Sequence, residues 1–238
     1  MRTFLTAEWK NLVFANYTID PAILAPYLPK GAEIDSFGGK YYVSLVGFMF
    51  LNTAVKGIRV PFHTNFEEFN LRFYVRFPDG DGWKRGVVFV KEIVPRRMIS
   101  QVARLLYGEK YFYKPMRNSL SAEGDQMQVK YEFRFQDKWN SFAVTASAQG
   151  QALEEGSVKQ FITEHYWGYT RRSALVTSEY QVQHPSWLVH EVTDFAIDID
   201  TFHLYGPGFH EYLNTTPASV FLAAGSAISV HDRVLHRF

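Results

Sequence analysis

Residues 67–77 read EEFNLRFYVRF. In an extended chain, alternate side chains leave opposite faces. This stretch therefore puts Phe69, Leu71, Phe73, Val75 and Phe77 on one side and Glu68, Asn70, Arg72, Tyr74 and Arg76 on the other. The apolar side has to pack against another layer. The polar side is open to two readings, the solvated outer face of a half-buried sheet or the wall of an enclosed pocket. Tyr74 is large for an outer face. Glu68, Asn70 and Arg72 together offer an acceptor, an amide and a planar fork within about 14 Å, the set a carboxylate-binding pocket needs.

The flanking sequence extends the strand reading. Pro78-Asp79-Gly80-Asp81-Gly82 is a hairpin signal that joins this strand to a second at residues 86–94. Upstream, YYVSLVGFMFLNT (41–53) is the longest apolar run and predicts a strand buried on both faces, with Gly47 marking a bulge or bend. Residues 9–19 predict the opening strand, and Asp20-Pro21 starts a helical turn over 22–27. Downstream, Ile99, Val102, Ala103 and Leu106 share one face of a helix over 98–107, with Gly108 as its cap. Residues 129–135 alternate cleanly and pair with 142–149, and Ser157 with Gln160 opens a helix to about Tyr166. Later strands are expected over 173–183, 187–192, 195–204 and 218–230. With no repeat and no linker, the expectation is a single domain, 1–238, of the α+β class and mostly antiparallel β.

Composition agrees. Aromatic residues make up 17%, with 21 Phe and 14 Tyr, an excess that suits pleated, half-buried surfaces. The 25 basic and 24 acidic side chains give a formal charge of +1, which supplies no broad field for nucleic acid or anionic lipid. Cysteine is absent, which excludes disulfides, thiolate zinc sites and a cysteine nucleophile. No signal-peptide pattern or membrane-length apolar run occurs, so the expected location is the cytoplasm. Partners are expected to be small molecules, without nucleic acid or membrane, and a homo-oligomer is allowed.

Three further stretches carry candidate chemistry. In KEIVPRR (91–97) a strand gives way to a helix, so Arg96 and Arg97 stand at an N-terminus whose free N–H groups also favour an anion. The alternative is two surface charges. In FITEHYWGYTRR (161–172), Glu164, His165, Tyr169 and Arg171 are pocket candidates, set against an ordinary core-and-rim reading. The eight histidines form no His-x-His or His-x-x-x-His pair, so no metal site is expected. Neither a Gly-rich phosphate loop nor a Gly-x-Ser-x-Gly elbow is present, and no cofactor is implied.

Taken in order, WKNLVFANY, the turn ending in LPKG, FGGKYYVSLVGF, FEEFNLRFYV, GVVFVKEIVPRRMISQVARLLYGEKY, TEHYWGYTR and TPASVFLAAGS resemble the YqjF-like family, conserved bacterial proteins of uncharacterised function. That family looks like a branch of the acetoacetate decarboxylase-like superfamily, which implies a cone-shaped antiparallel β-barrel around a central cavity. In the decarboxylases an Arg-Glu strand end is followed by Tyr-Pro-Lys-Lys, and one lysine forms the Schiff base. The matching stretch here is Lys91-Glu92 and then Pro95-Arg96-Arg97, with a spacer two residues shorter and arginine at both lysine positions. A nucleophilic lysine must lose its proton, and a guanidinium does not. The family's mid-strand acid corresponds to Glu67 or Glu68, with Glu68 preferred because it shares parity with Arg72.

The reading that follows is a small-molecule pocket for a carboxylate, lined by Glu68, Asn70, Arg72, Tyr74, Glu92, Arg96 and Arg97, without a covalent lysine. Within it, Arg72 pairs with Glu68, and Arg96 or Arg97 pairs with Glu92 or Glu68. The alternatives are a decarboxylase or related lyase using Lys110 or Lys114, and a non-catalytic interaction module.

Overall fold

The first strand, β1 (Thr3–Thr18), is followed by α1 (Pro21–Leu24), which a 3-10 turn, Ala25–Tyr27, prolongs. Asp20 starts α1 by accepting from the Ala22 N–H at 2.8 Å, and Pro21 needs no partner for a first-turn N–H. Then come β2 (Glu33–Ile34), β3 (Tyr42–Val55), β4 (Phe66–Asp79), β5 (Gly82–Val94), β6 (Tyr111–Tyr113), β7 (Met116–Glu123), β8 (Gln126–Phe135) and β9 (Lys138–Gln151). Beyond these lie α2 (Val158–Thr163), β10 (Trp167–Ser173), β11 (Val176–Gln183), β12 (Val189–Asp198), α3 (Thr201–Tyr205), α4 (Pro207–Leu213), β13 (Ser219–His231) and β14 (Val234–Arg237). The computed structural model describes residues 2–96 and 111–238. Among them, no helix is long and apolar enough to cross a membrane.

The strands form one mostly antiparallel sheet that curls on itself. Its path runs β11–β10–β5–β4–β3–β1–β13, and Val182 and Gln183 of β11 pair with Val230 and Ser229 of β13, which closes the ring. The β5–β10 contact is parallel. From β13 the sheet continues outward through β12, β9, β8 and β7. The fold is thus α+β and mostly antiparallel, one sheet closed on itself with a few short helices.

Curling divides the apolar residues into two cores. Outside the ring, Phe69, Leu71 and Phe73 of β4 pack with Val129, Tyr131 and Phe133 of β8, Phe142 and Val144 of β9, and Leu204 and Phe209 of α3 and α4. Inside, Phe14, Phe48, Phe50, Phe66, Tyr74 and Phe221 belong to the second core. β4 is therefore buried on both faces through most of its length. The bend expected at Gly47 is present, but the irregularity sits on the partner strand. The β1–β3 register slips between Lys10 and Val13, opposite Met49 and Gly47, and Asn11 takes φ 54°. Gly47 itself is required by close approach, since a Cβ there would lie 2.9 Å from the Tyr131 ring.

Several local expectations are corrected. The strand expected over 195–204 ends at Asp198, and the one expected over 187–192 starts only at Val189 and runs into the same strand, β12. Asp200 then caps α3 through the His203 N–H at 3.1 Å, and Pro207 starts α4. The capping acid and the proline outweigh the strand preference of the aromatics around them. α2 stops at Thr163 rather than near Tyr166, and β10 begins at Trp167. The helix expected over 98–107 lies outside the described residues.

Candidate functional site

The polar row of β4 faces the inside of the ring. Glu68, Asn70 and Arg72 are 2%, 1% and 8% exposed, and all three line a cavity of about 220 Å³. Tyr74, next in the row, is fully buried and supports the wall. Its hydroxyl lies 2.7 Å from Ser44 Oγ, which donates to Asn16 Oδ1 at 2.6 Å, and Asn16 Nδ2 donates to Ser219 Oγ at 3.0 Å. This chain ties β4, β3, β1 and β13 together across the interior.

Glu68 accepts from Asn70 Nδ2 at 2.9 Å and from the Tyr111 hydroxyl at 3.0 Å. Burial pushes its carboxyl up to about 7, against the opposing pull of these two hydrogen bonds and the charge of Arg72. A carboxyl poised there exchanges its proton near neutrality. The expected Glu68–Arg72 ion pair does not form. Four residues of strand separate the two by about 13 Å along the backbone, so Arg72 acts on Glu68 by field alone.

Arg72 packs instead over the Phe14 ring at 5.2 Å and the Tyr74 ring at 5.9 Å. No carboxylate among the described residues lies within ion-pair distance of it, and its Nε has no hydrogen-bond partner. Beside it, Asn70 Oδ1 is also buried without a partner. Among the described residues this buried guanidinium, held on aromatic faces, has no counter-charge of its own.

A one-residue bulge decides what β5 contributes. Leu71 pairs with Lys91, but the next residue, Arg72, pairs with Phe89, so Val90 is extra. Val87 and Phe89 line the cavity, and strict alternation would bring Lys91 there next. The bulge turns Val90 and Lys91 outward together and brings in Glu92, which is 1% exposed and stands opposite Asn70. Lys91 donates to the Leu204 carbonyl and lies over the Phe112 and Tyr205 rings. Burial and the charge of Lys114 lower its pKa.

Of the 161–172 candidates, His165 lines the cavity. Its Nε2 lies 3.4 Å from Asp35 Oδ2, which accepts from Arg85 Nε at 2.7 Å. Burial holds the imidazole below its usual range, against the pull of Asp35. Asp35 responds oppositely. Burial raises its carboxyl, but hydrogen bonds from His165 and Arg85 more than offset this and leave it at about 2. Glu164 accepts from Ser186 Oγ and Gln160 Nε2, Arg171 donates to the Pro26 carbonyl, and Tyr169 stacks on Phe77 in the outer core.

Arg96 is half-buried and does not line the cavity, and no ion pair joins it to Glu68 or Glu92. The β5 ladder ends at Val94, and Pro95, which has no N–H to offer, takes the chain out of the wall first. Arg97 and Lys110 lie outside the described residues. Lys114 has its Nζ 5.1 Å from the Phe135 ring and does not line the cavity. No lysine occurs among the described lining residues. Arg72 is the only arginine among them, and most of the remaining wall is apolar, with Trp9, Phe48, Phe50, Phe66 and Trp187 prominent. Strand parity gave the polar row, but nothing local marked these rings, which distant strands bring together. No group of three His, Cys, Asp or Glu residues among the described residues is placed to hold a metal ion.

A family model described as "Uncharacterized conserved protein", DUF2071, matches residues 6–227. The chain belongs to the DUF2071 family. This DUF2071 protein is 28% identical over 197 residues to the uncharacterized protein YqjF of Bacillus subtilis (strain 168), covering 81% of this chain and 77% of that one. Among solved structures it is similar to an acetoacetate decarboxylase-like enzyme from Sphingomonas wittichii RW1, at TM-score 0.68 and 11% identity over 100% of this chain and 94% of that one. Acetoacetate decarboxylase from Legionella pneumophila (subsp. pneumophila str. Philadelphia 1) gives TM-score 0.66 and 10% identity over 99% and 89%. The enduracididine biosynthesis enzyme MppR complexed with pyruvate gives 0.65 and 12% over 99% and 90%. At such identities the likeness is one of fold.

Proposed function

We propose that this DUF2071 protein binds an organic acid inside its barrel, with Arg72 as the carboxylate anchor and Glu68 as a proton-exchanging group beside it. The observation that carries the reading is the buried Arg72 guanidinium on the cavity wall, held over Phe14 and Tyr74 and without an ion-pair partner among the described residues. A bound carboxylate supplies the missing counter-charge in a site where water competes weakly. Asn70 Oδ1 remains to accept from a protonated or hydroxylated ligand. A neutral Glu68 takes one negative charge out of the cavity wall, whereas an ionised Glu68 opposes a second carboxylate there. Proton uptake by Glu68 is therefore linked to acid binding. A pyruvate complex of one fold neighbour supports an organic acid as the ligand class.

The absence of lysine from the described wall supports recognition without an imine. Incubation with acetoacetate and borohydride is accordingly expected to leave the intact mass unchanged, and a stable adduct on any lysine would count against this part of the reading. The principal test is a thermal-shift panel of monocarboxylates on the native protein and Arg72→Met. An acid at one hundred times its Kd stabilises by about 2.7 kcal/mol. At least one acid is expected to shift the native protein and not the variant. Equal shifts in both, or none with any acid, would refute it.

A further inference from the structure

Arg72 and the exposed rim of the cavity stand at opposite ends of the lining row of β4, and this separation constrains the ligand beyond its being an acid. β4 begins at Phe66, directly after the loop 56–65, and Phe66, Glu68, Asn70 and Arg72 line the cavity in that order. Six residues of strand take the row about 20 Å from the loop to Arg72. Glu68 and Asn70 stand on this path, with Glu92 opposite Asn70, and the rest of the wall near the loop is a set of packed rings. Phe50 stacks on Phe66 with centroids 4.7 Å apart, and Trp9 sets its edge against Phe48 at 5.3 Å and Phe50 at 5.8 Å.

Among the described lining residues, only Ile58 and Val60 are exposed, at 68% and 39%, and both belong to this loop. Phe62, two residues on, is 88% exposed and sits at φ 63°, a conformation rare for a bulky side chain. The loop is held in place by its backbone. Val55 and Ile58 exchange hydrogen bonds of 3.0 and 2.9 Å, the His63 N–H donates to the Val60 carbonyl at 3.0 Å, and the Thr53 N–H donates to that of Thr64 at 2.9 Å. The apolar surface thus runs from the interior across the rim and onto the outside. A short, wholly polar acid makes no use of it.

We infer that the ligand is an amphiphilic monocarboxylate, with its carboxylate at Arg72 and a straight apolar tail that passes the Phe50–Phe66 wall and leaves over Ile58, Val60 and Phe62. This rests on the acid-binding reading above and narrows it to acids of the fatty-acid type. Each methylene transferred from water to the apolar wall tightens binding about fourfold.

Butanoate, octanoate and dodecanoate, each below its micelle concentration, are titrated calorimetrically into the native protein, Arg72→Met and the double variant Ile58→Ser/Phe62→Ser. In the native protein affinity is expected to climb along the series. The rim variant, altered only at exposed side chains, is expected to keep the native butanoate affinity and lose on the order of tenfold for dodecanoate, roughly two buried methylenes. Butanoate binding in the rim variant also serves as the check on its fold. Dodecanoate binding no tighter than butanoate, or unchanged by the rim substitutions, overturns the inference while leaving acid binding intact. Affinities that ignore Arg72→Met for every acid overturn the acid-binding reading itself.

Discussion

Glu68→Gln isolates the energetic consequence of burying an ionisable group in the barrel. The Glu68 carboxyl is lifted from an ordinary value of 4.5 to about 7, chiefly by burial. Between these values the folded chain holds a proton that the unfolded chain has released. Stability therefore falls as pH rises through this window and levels off above about 7. At about 1.4 kcal/mol per decade, the full span amounts to about 3 kcal/mol. Glutamine keeps an oxygen to accept from Asn70 and an amide for the Tyr111 hydroxyl, so the variant changes the charge and little else. Denaturant unfolding of both proteins between pH 4.5 and 8 provides the assay. The stability of Glu68→Gln relative to the native protein is expected to improve by about 3 kcal/mol across that range. Carboxylate affinity is expected to fall above pH 7 in the native protein and to stay level in the variant. Parallel stability profiles would show that Glu68 is not perturbed, and the proton-exchanging role would go with it.

Other substitutions test other parts of the architecture. Arg72→Met replaces a buried cation that has no ion-pair partner among the described residues with an apolar side chain, and is expected to cost the ligand-free protein no more than about 1 kcal/mol in urea unfolding. Gly47→Ala drives a Cβ to 2.9 Å from the Tyr131 ring and 3.1 Å from Phe69, and calorimetry should record a loss of about 1–3 kcal/mol from overpacking. Asp35→Asn removes a carboxylate held at about 2, below its ordinary 3.8. Its cost is expected to be present at pH 7 and to fade as pH falls through 3.8 towards 2, and a cost that grows with acidity would contradict the assigned sign.

The sequence made β4 and β5 legible because both signals were local, the two-residue alternation and the Pro-Asp-Gly turn between them. Parity also set Glu68, Asn70 and Arg72 on one face, but it could not say that the face points inward. That depends on the β11–β13 pairing, which closes the ring between distant strands. The bulge at Val90 was likewise silent, since no glycine or proline marks it, yet it exchanges Lys91 for Glu92 on the cavity wall. The expected Glu68–Arg72 pair failed on spacing, because residues four apart are neighbours on a helix and about 13 Å apart along a strand. α3 and α4 were hidden by aromatic residues that favour strands, although Asp200 and Pro207 carried the start signals.

The most direct test of the account is a crystal structure of the protein with octanoate. The expected result places the carboxylate inside the barrel, within about 2.7–2.9 Å of the Arg72 guanidinium nitrogens, with the chain directed towards the loop 56–65. Octanoate bound elsewhere, or bound in the cavity with its carboxylate at the rim and Arg72 uncontacted, would contradict it.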